Sequence, residues 1–248
     1  MNININKINE YERELLITVS WEDIVEDYNE LLKRYMKIPI KGFRPGKTPV
    51  GAIESFFRNE IKNDLLARVS SRFCRKALKD ENIVSGSPIE IVEGELKKNE
   101  SISFKAAFIE MPQFDLPDYR KLNLESTTQA KQINEISEKL LERTTIMIPP
   151  SFIEAELGYS EESDDSQEQR DAAAERVKLM LIIKKIAEQD GIEIDERDVD
   201  ERMEMIAEEH DVEIADIKMY FMESGGTGRL SDALLAERVL EYIIGIQE

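Results

Sequence analysis

The chain has a single cysteine, Cys74, and a single histidine, His210, in 248 residues. One cysteine permits no internal disulfide and so excludes a stapled secreted scaffold. Set beside Phe73, it reads as a buried, inert thiol. His210 stands among Glu208, Glu209 and Asp211, neighbours that scatter around a helix instead of gathering on one face, so it reads as a solvated helix-end histidine without metal or general-base work. No serine, cysteine or lysine is accompanied by an activating group. There is no apolar run long enough to cross a bilayer and no internal repeat. The opening Met1–Asn6 alternates instead of forming a cationic-then-apolar leader. No catalysis, cofactor or membrane contact is expected, and the compartment expected is a reducing cytoplasm.

What the chain has in excess is charge, unevenly placed. From Lys33 to Lys79 there are thirteen Lys and Arg against three acids. Residues 1–124 balance at twenty basic and twenty acidic side chains, whereas residues 125–248 hold 13 basic and 32 acidic and carry the whole net charge of −19. A basic patch on an otherwise acidic molecule implies oriented binding to a polyanion. The length and the change of charge near residue 120 predict two domains, 1–112 and 113–248.

Period-two alternation at Ile3, Ile5 and Ile8 and at Leu15, Ile17 and Val19 predicts an antiparallel strand pair. Ser20 is expected to cap the next helix, with Asp23 completing an approximate capping box. Ile24, Tyr28, Leu31 or Leu32 and Tyr35 continue at helical spacing until Pro39. Pro49 suits the start of a helix with Ile53, Phe57 and Ile61 on one face, and Glu60–Asp80 predicts another, its Leu65, Val69, Phe73 and Ala77 interleaved with cations. Residues 88–95 and 102–108 predict two further strands. The expected N-terminal domain is therefore α+β with an antiparallel sheet.

Beyond Pro112 and Pro117, Leu122 and Leu124 suggest a short extended segment, and the remainder reads as all-α: a linker helix near 128–143, one beginning at Pro149-Pro150, one over 172–190 ended by Gly191, one capped by Asp195, and one over 230–246. Residues 160–171 are acidic and nearly free of apolar side chains, as in a solvated loop or a frayed helix tip. Met180, Met203, Met205, Met219 and Met222 fall on helices here. Core packing is expected for most of them, although a Met-bearing cradle also suits promiscuous apolar binding.

Between the two helices of the basic region lies Lys41-Gly42-Phe43-Arg44-Pro45-Gly46-Lys47-Thr48-Pro49. Two glycines and two prolines favour a loop over either regular structure, and a tight loop pushes Phe43 outward among cations. An apolar ring beside Arg44, Lys41 and Lys47 is a docking element: the ring supplies buried area, the charges steering. A phosphate-loop reading fails, because only three residues separate the glycines and no buried strand precedes them.

These residues carry a resemblance. Gly42, Phe43, Arg44, Gly46 and Pro49 match the ribosome-docking signature G-F-R-x-G-x-x-P of bacterial trigger factors, ribosome-associated chaperones. Ser20-Trp21-Glu22-Asp23, the helix from Tyr28 to Tyr35 and Phe108–Pro112 follow in that family's order. So do Ile148–Ile153, Arg176–Leu179, Gly191–Ile194 and Leu234–Val239. The resemblance implies that Phe43 and Arg44, with Lys41 and Lys47 and further phosphate contacts from Arg34, Lys37 and Arg58, dock on a large-subunit protein and rRNA beside the exit tunnel. It also implies a helical domain that holds nascent or unfolded polypeptides, and it leaves a homodimer of the free chain open. The chain departs from the pattern at three points. The helix ending near Arg143 runs straight into Ile148-Pro149, with no room for the family's prolyl isomerase domain of the FKBP type. Pro45 stands where relatives often carry another base, and the 160–171 segment is shorter than the family's first helical arm.

The reading that results is an ATP-independent holdase that docks on the ribosome. Two alternatives stand beside it: an RNA-binding or ribosome-assembly factor using the basic helix, and a prolyl isomerase-related enzyme acting without the usual domain.

Overall fold

The computed structural model describes residues 1–43, 47–158 and 166–247. The chain divides into two compact units, Met1–Pro112 and Gln113–Glu248.

In the first unit, β1 (Asn2–Lys7), β2 (Glu12–Ser20), β3 (Glu90–Lys97) and β4 (Ser101–Ile109) form one antiparallel sheet in the order β1-β2-β4-β3. The register pairs Leu15 with Ala106, Ile17 with Phe104 and Val19 with Ile102. Alternate residues point to opposite faces, so all six side chains are delivered to one face, where they are buried. α1 (Val25–Tyr35) and α3 (Arg58–Asp80) cover that face with Tyr28, Leu31 and Leu32 and with Ile61, Leu65, Val69, Phe73 and Ala77. The short α2 (Val50–Phe56) adds Ile53. The α+β class read from the sequence is thus the observed one.

Several local expectations change. Ile8 lies outside β1 and is exposed. Residues Trp21–Asp23 form a 3-10 turn before α1, and Ser20 makes no side-chain bond to backbone there; its hydroxyl instead donates to Asp23 Oδ2 at 2.7 Å. A hydroxyl committed to a carboxylate is lost to capping.

The second unit is helical: α4 (Gln129–Arg143), α5 (Pro150–Leu157), α6 (Gln167–Asp190), α7 (Glu196–His210), α8 (Ile214–Glu223) and α9 (Thr227–Gln247). Its core joins Ile136 and Leu140 of α4, Ile182, Ile183 and Ile186 of α6, and Val239, Leu240 and Ile243 of α9. Asp195 caps α7 with a full capping box, and Gly191 ends α6 at φ 67°, where a side chain would be strained. α6 begins earlier than the sequence suggests, at Gln167, because Ser166 accepts a bond from the Gln169 amide. Residues 160–165 of the acidic stretch lie outside the described residues.

Leu122 and Leu124 join no strand. Asn123 between them has φ 51°, which breaks an extended run. The segment is held by side chains instead. The Tyr119 hydroxyl donates to Asp190 Oδ2 at 2.8 Å, Gln247 bridges the Tyr119 carbonyl and the Leu122 amide, and Lys139 donates to the carbonyls of Leu122 and Asn123.

Candidate functional site

The loop after α1 is fixed at both ends. Ile40 on one side is buried with the core, and Thr48 on the other is only 2% exposed. The Phe43 amide closes a turn onto the Ile40 carbonyl at 3.1 Å, with Gly42 at φ 97°, a backbone that only glycine adopts without strain. Pro49 starts α2, its carbonyl accepting from the Ala52 and Ile53 amides.

The helices around the loop are tied to one another. Tyr35 donates to Asp64 Oδ2 at 2.8 Å and stacks 5.1 Å from Phe57, joining the end of α1 to α3. Tyr28 donates to Glu54 Oε1 at 2.6 Å, joining α1 to α2, and Lys98 binds the same oxygen at 2.5 Å. Burial alone would raise the Glu54 carboxyl, but hydrogen bonds from Lys98 and Tyr28 outweigh it and hold Glu54 below its usual range. Burial and Glu54 together push the Tyr28 phenol up, so it stays a donor at neutral pH.

On this base Phe43 is 39% exposed, and Lys41, Gly42, Lys47 and Pro49 are exposed around it. Arg44, Pro45 and Gly46, also read from the sequence as docking residues, lie outside the described residues. Lys33, Arg34 and Lys37 at the end of α1 and Arg58 at the start of α3 are exposed too. The sequence reading missed three apolar neighbours. Ile38, Val50 and Phe56 are exposed, Phe56 at 61%. Helical phase alone does not reveal Phe56, which lies three residues after the inward Ile53; α2 ends at Phe56, and the non-helical Phe57 that follows it breaks the phase.

The basic helix is not uniformly free. Asp27 of α1 is buried, and its two oxygens take Arg68 Nε at 2.7 Å and Arg72 at 2.8 Å, while Arg68 also pairs with Glu30. These two cations hold α3 to α1.

In the second unit the expectation that most of the five methionines pack in the core fails. Met203 is buried and Met180 packs on the core, but Met205, Met219 and Met222 are exposed, Met222 at 73%. Tyr220 and Val212 are exposed beside them in sequence. α8 buries no residue fully: Ile214, Ile217 and Phe221 are half-buried, and Met219, Tyr220 and Met222 are left outward. Cys74 is buried, and burial raises its thiol to about 11. His210 is exposed at the end of α7, and among the described residues no group of His, Cys, Asp or Glu is placed to hold a metal ion. No described helix is long and apolar enough to cross a membrane.

Two family models match, bacterial trigger factor protein over residues 1–144 and its C-terminus over residues 156–245. Among similar curated proteins are the trigger factors of Maridesulfovibrio salexigens, 27% identical over 60% of this chain and 35% of that one, and of Syntrophus aciditrophicus, 26% identical over 56% and 31%. That of Parvibaculum lavamentivorans is 27% identical over 52% and 26%. The chain spans about a third of the length of these relatives. A solved structure of the trigger factor chaperone, described for promiscuous substrate recognition in folding and assembly activities, shares the fold at a TM-score of 0.62 and 12% identity, covering 100% of both chains. With one model matching more than half of its length, this chain belongs to the bacterial trigger factor family.

Proposed function

We propose that this chain is an ATP-independent holdase that docks on the ribosome beside the polypeptide exit and acts in the cytoplasm without prolyl isomerase activity. The observation that carries the reading is Phe43, exposed on a turn between the buried anchors Ile40 and Thr48 and flanked by Lys41 and Lys47. A ring held outward on the turn that follows Ile40 costs little further ordering on binding, and the cations near it in the chain steer it towards phosphate. Ile38, Val50 and Phe56 enlarge the apolar part of the contact.

The exposed Met205, Met219, Tyr220 and Met222 on α7 and α8 supply a surface for unfolded chains. Methionine adapts to many partners, and several weak apolar contacts give capture without selection. The two family segments are separated only by residues 145–155. That interval cannot hold a module of about a hundred residues, which supports a chaperone free of isomerase chemistry. A proline-isomerisation assay is expected to show no rate enhancement.

Phe43→Ala combined with Arg44→Ala is expected to abolish cosedimentation with ribosomes while the circular dichroism spectrum is unchanged. Cosedimentation at the wild-type level refutes the docking role.

A further inference from the structure

We propose that the outer face of α3 from Arg68 to Lys79 is a second binding surface, one for the phosphate backbone of RNA. Arg68, Ser71, Arg72, Arg75, Lys76 and Lys79 line one groove, and no acid takes part in it. They recur at steps of three and four, so they form a single stripe about 16 Å long at 1.5 Å per residue.

Two kinds of cation meet in this stripe, some held by carboxylates and some not. Among the described residues Arg75, Lys76 and Lys79 have no ion pair, although Asp80 and Glu81 follow directly in the chain. Arg68 and Arg72 are oriented by the buried Asp27, with Glu30 taking Arg68 and the Asp23 carbonyl taking Arg72, yet they remain 45% and 50% exposed, which leaves guanidinium donors for a further partner. The stripe thus has a preordered arginine end and an unneutralised end, an arrangement that suits a flexible polyanion. Arginine forks bind phosphate oxygens in pairs, and the lysines add point charges. No aromatic side chain lines the groove, so no base stacking is offered and the contact is to the backbone without sequence preference.

The choice of RNA among polyanions rests on the proposed ribosome docking; the surface itself does not. The test is therefore made without ribosomes, by fluorescence anisotropy of a labelled single-stranded RNA of about 20 nucleotides, long enough for several such sites. The full chain is compared with Arg75→Gln/Lys76→Gln/Lys79→Gln and with a charge-matched control, Lys7→Gln/Lys97→Gln/Lys121→Gln. Three lost phosphate contacts should weaken binding about ten- to a hundredfold near 0.1 M salt and reduce the slope of log K against log salt by about 2. The control should bind as the wild type does. Equal affinity and slope for the α3 variant overturns the proposal, as does an equal loss in the control, which would make the effect one of net charge. If the α3 variant binds RNA normally but loses self-association in sedimentation equilibrium, the stripe serves the acidic surface of a second copy and the RNA assignment is wrong. Failure of the Phe43 and Arg44 test leaves all of these readouts intact, so the two ideas fall separately.

Discussion

Asp27 shows what a single buried carboxylate does here. Both oxygens are taken by guanidiniums 2.7–2.8 Å away, and these side chains are themselves about half exposed. Removing the carboxylate strands two cations that water can still solvate, so the loss is smaller than for a wholly buried pair. Asp27→Ala should lower the stability of the first unit by about 1–2 kcal/mol in a urea titration followed by circular dichroism, mainly through lost hydrogen bonds to charged groups. Cys74 provides a probe of the same core. Burial raises its thiol to about 11, so little thiolate forms near pH 8, and a disulfide reagent should label it only as fast as the first unit opens. Rapid labelling of the native chain would contradict that enclosure. At this scale the outward Phe43 was legible, because Gly42, at φ 97°, turns the chain directly before it. Asp27 was not legible: its partner Arg72 lies 45 residues away, and a helix pattern does not reveal which cations another helix will claim.

At the scale of elements, the strands and the long helices followed from periodicity, since one buried face imposes its repeat on the sequence. α8, the helix expected under Met219 and Met222, buries no residue fully, and its half-buried Ile214, Ile217 and Phe221 make a stripe too brief to bound the element in the sequence. The segment around Leu122 was misread because its order comes from side chains of α4, α6 and α9. Glu135 is central to it. Its carboxylate takes Lys139 and the amides of Glu125 and Ser126, and these bonds, Lys139 first, lower it to about 2. An unfolded glutamate titrates near 4.3. A carboxyl depressed on folding contributes stability that is complete above the unfolded value and is lost as pH falls from about 4.5 towards 2. Glu135→Gln should lower the urea midpoint at pH 7 and flatten its decline between pH 5 and pH 2, compared with the wild type.

Over the whole molecule, opposite charge and two kinds of exposed apolar group are assigned to different stretches of chain. The first unit presents Phe43 and its neighbours within the cation-rich span 33–79, and the acidic second half presents Met205, Met219, Tyr220 and Met222. This distribution suits a division of labour, because a docking contact to phosphate and a weak contact to unfolded chains make opposite electrostatic demands. Cationic docking gains from counterion release and should weaken steeply with salt, whereas apolar capture should hold or strengthen as salt rises. The division can be tested by crossing variants and assays. Met219→Ser/Tyr220→Ser/Met222→Ser removes about half of several side chains' burial from a bound client. At roughly 1 kcal/mol, that is about a fivefold weaker interaction, read as a higher chaperone ratio needed to suppress aggregation of a diluted, denatured client. The same variant should cosediment with ribosomes as the wild type does. Phe43→Ala/Arg44→Ala should show the reverse, normal suppression and lost cosedimentation. If either variant loses both activities while keeping its fold, docking and holding share one surface, and the assignment of each to its own unit is wrong.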